Sequence, residues 1–111
     1  VLESSCFGNF ADPLIAPGEA DLTAHVPFAA LAACARTAGA RVHGPEPQGM
    51  VLARLGLFQR SNRLARSLPP AQASAIMEAA RRLGEPDRMG RLFKMLAITH
   101  PSLTQCPGFE A

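Results

Sequence analysis

The side chains in this sequence that could bind a metal, attack a substrate or hold a ligand are few and widely spaced. His25, His43 and His100 lie far apart with no H-x-x-x-H pattern, so they lack the same-face pair of a helical zinc site, and structural or surface roles are expected. Cys6, Cys34 and Cys106 form no C-x-x-C arrangement. Neither a disulfide framework nor a zinc site is indicated, and a reducing cytoplasm suits them best. Cys34 stands among alanines and reads as a small buried filler, because a cysteine nucleophile needs a base that the sequence does not place beside it. No G-x-G-x-x-G follows an apolar strand and no G-x-x-x-x-G-K-[ST] occurs, so a phosphate-cradling loop is missing. The run Pro17-Gly18-Glu19-Ala20-Asp21-Leu22-Thr23 is a polar loop ahead of a helix. Asp21 and Thr23 there either cap and turn the backbone or bind a ligand, and the residue types alone favour capping.

The elements that would position these residues follow from apolar spacing and from proline and glycine. Pro13, Pro17, Pro27, Gly8 and Gly18 punctuate the first 27 residues, which show no sustained period and read as an irregular loop. Phe28, Leu31, Ala32 and Ala35 recur at helical spacing between Pro27 and Gly39, predicting a helix over residues 28 to 38. A short strand over about 40 to 44 ends in a turn at Gly44-Pro45-Glu46-Pro47. Val51, Leu52, Leu55, Phe58, Leu64 and Leu68 predict two helices with a break at Gly56, and Arg54, Arg60, Arg63 and Arg66 occupy the wet face opposite. Pro69 and Pro70 end that segment, and a further helix runs from near Ala71 to Gly84 on the stripe Ala73, Ile76, Met77, Ala80, Leu83. A turn at Glu85-Pro86-Asp87 leads to an apolar run, Leu92 to Ile98, that reads as a mostly buried strand, with a helix as the alternative for so short a run. The tail, with Pro101, Pro107 and Gly108, reads as coil.

Composition limits what these elements can build. The 111 residues are 48% hydrophobic, but the bulk comes from Ala, Leu and Val, with six Phe and neither Trp nor Tyr. A core of such residues is thin unless another segment or subunit covers it. Charge is uneven: residues 1–50 carry five acids and two bases, residues 51–111 nine bases and four acids. The basic residues lack interleaved aromatics, so nucleic acid is not an expected partner. No basic region followed by an apolar stretch opens the chain and no window approaches 18 apolar residues, so neither a signal peptide nor a membrane span is expected. The start at Val1, without an initiator Met, fits a fragment.

Three ordered blocks resemble one family. Phe10-Ala11-Asp12-Pro13-Leu14-Ile15-Ala16-Pro17-Gly18-Glu19-Ala20-Asp21-Leu22-Thr23-Ala24-His25-Val26 is similar to the D-P-x-x-x-P-G-x-A-D-L-T-A-x-V-D-F segment of the MidA family of methyltransferases. Gly44-Pro45-x-x-Gln48-Gly49-x-x-Leu52-x-x-Leu55-Gly56 resembles its G-P-x-x-Q-G-x-F-L-x-x-L-G-I. Pro86-Asp87-x-Met89-Gly90-x-Leu92-Phe93-Lys94-x-Leu96-Ala97-Ile98 resembles P-x-x-M-G-x-L-F-K-x-L-A-I. The family's V-D-F stands here as Val26-Pro27-Phe28, and Val51 replaces the aromatic of the second block; residues 1–9 match nothing in the family.

The resemblance implies a class I, seven-stranded Rossmann-like α/β fold that binds S-adenosylmethionine at a glycine-rich loop upstream of the first block. This chain then corresponds to the C-terminal portion of that fold: strands five and six with a helical insertion, a single partial domain over 1–111 with a coil tail over 99–111. It further implies methyl transfer to a protein arginine, linked through mitochondrial members to respiratory complex I assembly. A protein substrate, with a complex I subunit as the candidate, and a missing N-terminal half or a second copy are the implied partners, with no nucleic acid and no membrane. A cytoplasmic location is implied for bacterial members and the mitochondrial matrix for eukaryotic ones. Asp21, Thr23, His25 and Gln48 fall near strand C-terminal ends, where open α/β sheets place ligands, and are the substrate-side candidates; no cofactor-binding residue, metal ligand or catalytic residue is assigned. For the chain alone, inactivity is expected. The competing expectation is a non-catalytic interaction module or truncated remnant without cofactor binding.

Overall fold

The structure is a computed structural model that describes residues 2–6, 9–12 and 14–109. Pro13 of the first block, Gly8 and the last two residues of the tail lie outside the described residues. Among the described residues the elements run in the order β1 (Leu2–Cys6), β2 (Asn9–Ala11), β3 (Asp21–Ala24), α1 (Phe28–Thr37), β4 (Arg41–Pro47), α2 (Gln48–Arg54), α3 (Leu57–Ala65), α4 (Pro70–Gly84), α5 (Met89–Leu92) and β5 (Lys94–Thr99). The result is a small mixed α/β unit with two antiparallel sheets.

Helix boundaries follow backbone chemistry. After α1, Gly39 takes φ +84, donates its N–H to the Arg36 carbonyl, and Ala40 N–H reaches the Ala35 carbonyl. This is the paired Schellman closure that a C′ glycine permits. Gly56 (φ +86) ends α2 by donating to the Ala53 carbonyl, and its own carbonyl accepts from Arg60 N–H in α3, so one left-handed residue joins two helices. Pro69 and Pro70 open α4, where a missing N–H costs nothing.

β4 and β5 pair antiparallel, from Arg41 opposite Thr99 to Pro47 opposite Lys94, with a register shift between His43 and Glu46 around the cis Gly44-Pro45 peptide. β4 extends three residues past the expected end at 44. Its prolines are tolerated because each strand of a two-stranded sheet has an open side, where a missing N–H breaks no ladder. The expected strand at 92–98 begins instead at Lys94, and Leu92 belongs to the one-turn helix α5. α1 lies on this strand pair, α2 leaves the end of β4, and α3 and α4 pack side by side.

The irregular loop expected over residues 1–27 contains a three-stranded sheet ordered β2-β1-β3. Such short strands carry no period-two apolar signal, and all four residues of β3 are exposed, so nothing in the sequence marked them. Cys34, expected to be a buried filler, is exposed on α1; the side of that helix facing inward is carried by Ala32.

Little is buried. Ala32, Val51 and Ala80 are the buried apolar side chains among the described residues, and Val51 alone of the larger ones is fully inaccessible. Ser61, also buried, donates to the Leu57 carbonyl within α3 at 2.8 Å. Leu14, Ile15, Leu22, Val26 and Leu92 are more than half exposed. The radius of gyration, 17.8 Å, exceeds the ~13 Å of a compact domain of this length.

Two substitutions separate packing from backbone strain. Val51→Ala should lower unfolding free energy by about 2 kcal/mol through lost burial and a residual cavity. Gly39→Ala meets no atom within 4 Å of the new Cβ and should cost about 1 kcal/mol from left-handed strain alone. Urea unfolding followed by circular dichroism reads both.

Candidate functional site

The second and third sequence blocks converge at one place. Gln48 and Gly49 begin α2, Gly84 ends α4, and Gly90 lies in α5. A Cβ on Gly49 would collide with the Gly84 carbonyl oxygen and come within 3.0 Å of the Gly90 Cα. A Cβ on Gly90 would strike that same oxygen, and would lie 2.7 Å from the Glu85 carbonyl oxygen. On Gly84 itself it would meet Phe58 Cζ at 2.9 Å and Leu57 Cδ2 at 3.2 Å. All three glycines are buried. Three helix segments therefore touch backbone to backbone, which only residues without side chains allow.

Hydrogen bonds fix the same junction. Gln48 Nε2 donates to the Leu83 carbonyl at 2.9 Å, and Gln48 N–H donates to the Phe93 carbonyl at 2.9 Å, carrying the β4–β5 ladder into α2. Gly90 N–H donates to the Glu85 carbonyl at 3.1 Å. Beside these contacts opens a cleft of about 600 Å³, lined mainly by Pro47, Met50, Ala53, Phe58 and Pro86, with Glu85 and Arg91 as its charged residues. Its size suits a small ligand or an inserted side chain.

Charges nearby are mostly paired at the surface. Arg81 Nε lies 4.0 Å from Glu85 Oε1, one helical turn on. Arg88 donates to Glu78, and that hydrogen bond, reinforced by the carboxylate charge, raises the Arg88 pKa above its ordinary value. Among the described residues no group of His, Cys, Asp and Glu is arranged to hold a metal ion.

The four substrate-side candidates do not assemble in one place. Asp21 and Thr23 share a face of β3, opposite Ser5 and Glu3 of β1, and exposed His25 follows the strand. Gln48 is half-buried at the glycine junction, and its element packs on β4, β5 and the helices, whereas β3 packs on β1. The glycine junction escaped the sequence reading. A usable signal was present: Gly49 sits in the first turn of a helix, where glycine is unfavourable without a packing reason.

This is a mixed α/β unit whose candidate site is a backbone junction beside an apolar cleft. Residues 5–46 match a family model described as "Putative S-adenosyl-L-methionine-dependent methyltransferase". The "Protein arginine methyltransferase NDUFAF7 homolog, mitochondrial" of Drosophila melanogaster is 42% identical over 90 residues, a match covering 78% of this chain and 20% of that protein. The chain belongs to this S-adenosyl-L-methionine-dependent methyltransferase family and spans about one fifth of the curated relative.

The described residues do not fit that cofactor by themselves. A nucleoside sulfonium with a carboxylate tail calls for a glycine turn from strand to helix with free N–H groups and an acidic residue for the ribose. Here the strand-to-helix entries into α1 and α2 carry Pro27 and Pro47 at the N-cap, and the glycine that opens α3, Gly56, joins helix to helix rather than strand to helix. The cleft's glycines pack backbone against backbone.

Gly49→Ala and Gly90→Ala should each destabilise the chain by about 3 kcal/mol, because the added atom meets backbone that cannot yield without moving a helix. Gln48→Ala should cost about 1 kcal/mol. Chemical denaturation of the three variants checks the order.

Proposed function

We propose that this chain forms the acceptor-side portion of an S-adenosylmethionine-dependent methyltransferase acting on protein arginine, corresponding to the C-terminal part of a Rossmann-like fold. The 42% identity with a protein arginine methyltransferase homologue carries the reading. Donor-binding residues then lie in the part of the whole protein outside the matched fifth, either in the same polypeptide or in a partner half.

The exposed apolar surface supports this reading. Leu22 and Val26, 61% and 53% exposed, leave the β3 region uncovered, and β4 and β5 each keep an open edge. Further strands and helices would cover such surfaces. In this scheme β4 and β5 represent the fifth and sixth strands, with α2, α3 and α4 as the helical insertion. Asp21, Thr23 and His25 face the acceptor, and Gln48 is held by the Leu83 carbonyl at the glycine junction. A role in complex I assembly and a mitochondrial site of action follow for a eukaryotic whole protein, with a cytoplasmic one for a bacterial protein.

The same exposed residues also favour a second reading, a non-catalytic interaction module. Isothermal titration separates the two when run on both the folded 111-residue chain and the whole protein. Under the methyltransferase reading, S-adenosylmethionine binds the whole protein saturably and the chain not at all. Saturable binding to the chain would place a donor site within it and overturn the acceptor-side assignment; no binding to the whole protein would favour the interaction module. In a full-length homologue, alanine at the positions aligned with Asp21 and Thr23 should lower turnover about ten-fold or more. Unchanged turnover would remove both from the site.

A further inference from the structure

We propose that residues 106–109 form a preorganised strap that opens and closes over α2 and β4 while the helices stay folded, with Arg54 as its latch. Cys106, Pro107, Gly108 and Phe109 make a tight turn: Phe109 N–H donates to the Cys106 carbonyl at 3.0 Å, proline precedes glycine, and Gly108 takes φ +86. That is the type II arrangement, in which proline presets one dihedral and glycine supplies the left-handed one. The turn needs no tertiary contact to define its shape.

Three contacts seat it. Gly108 is buried, and a Cβ there would lie 2.9 Å from Val51 Cγ1 and 3.1 Å from Leu55 Cγ. The strap therefore lies directly on Val51, the fully inaccessible side chain of α2. Phe109 packs against Gly44, where a Cβ would come within 3.0 Å of its Cε1, and its ring centroid lies 6.5 Å from that of His43. Arg54 Nη1 donates both to Glu46 Oε2 at 2.7 Å and to the Gly108 carbonyl at 3.2 Å. One half-shielded guanidinium thus bridges β4, α2 and the strap, with side-chain exposures of 28% for Arg54 and 23% for Glu46. Arg54 is a positioning residue: it holds the Gly108 carbonyl and takes its own orientation from Glu46.

The strap has few anchors beyond these. Among the described residues no hydrogen-bond ladder ties residues 103–109 to a sheet, so the segment can release as a unit at lower cost than global unfolding. Release uncovers Val51, the Gly44 backbone and the His43 ring together, enlarging the apolar face beside the second sequence block.

Cysteine labelling tests this directly, because Cys106 is half-buried in the strap and Cys34 is exposed on α1 as an internal reference. In a Cys6→Ser background, an aromatic disulfide reagent should modify Cys106 more slowly than Cys34. Arg54→Ala should speed labelling of Cys106 about five-fold, leaving Cys34 and the far-ultraviolet circular dichroism unchanged. Gly108→Ala, which combines a clash with a strained φ, should act in the same direction. Cys106 rates within about two-fold of the parent in both variants would overturn the proposal. So would a rise in Cys106 labelling that occurs only where added urea also unfolds the helices. If Arg54→Ala does not fold, Glu46→Gln decides: it keeps Arg54 but removes the charge that orients it, and an unchanged Cys106 rate there rejects the latch.

Discussion

The contact of three glycines around the Gly84 carbonyl is the constraint on which the helical half of this chain depends. It sets how closely α2, α4 and α5 approach, and each end of the junction has a consequence. Because Gly49 touches Gly84, α2 begins directly on leaving β4, and Gln48 can reach both the Leu83 carbonyl and the Phe93 carbonyl. Because Gly90 reaches the same oxygen, α5 is confined to one turn before the chain enters β5. Because Gly84 has no Cβ, the Phe58 ring lies over its Cα and closes α3 on α4. A single added methyl at any of the three would push apart elements that the rest of the packing is too sparse to hold.

That sparseness explains why backbone contacts and hydrogen bonds matter so much here. With Val51 as the one fully buried side chain of any size among the described residues, area-based stabilisation is small, and close backbone approach supplies dispersion contacts that larger side chains provide elsewhere. Small residues recur at the interfaces: Ala32 on α1, which packs on the β4–β5 pair, Ser61 and Ala80 on the packed helices α3 and α4, Gly108 on α2. The polar groups drawn into these interfaces are satisfied, Ser61 by Leu57 and Gln48 by Leu83. Buried donors without partners would be unaffordable in a core this thin.

How much of this was legible varies with the kind of signal each residue leaves. Proline and glycine marked α1, α2, α3 and α4 accurately, because fixed φ at Pro27 and Pro70 and left-handed φ at Gly39 and Gly56 are local requirements written in residue type. The family was legible too, in three blocks of identical order. β1, β2 and β3 were not, since exposed short strands lack alternation, and pairing between Leu2 and Ala24 is a non-local fact. Arg54 read as one more basic residue on a wet face beside Arg60 and Arg63, because nothing local distinguishes an arginine that meets a glutamate eight positions earlier and a carbonyl fifty-four positions later. Of the site candidates, Asp21 and Thr23 proved to share a strand face, while the actual meeting point of the second and third blocks was carried by glycines, which offer no functional group to notice.

The placement of motif residues bears on what a motif match means. In the second block Gly44 admits Phe109, Gln48 ties α2 to α4, Gly49 allows the backbone junction, and Gly56 turns one helix into the next. In the third block Gly90 completes the junction and Lys94 to Ile98 pair with β4. The glycines and Gln48 among these each have a structural reason for their residue type that stands without any chemistry. The first block differs: Asp21 and Thr23 lie on β3, whose four residues are exposed, so burial does not account for their types. Identity in the second and third blocks is therefore evidence for the fold.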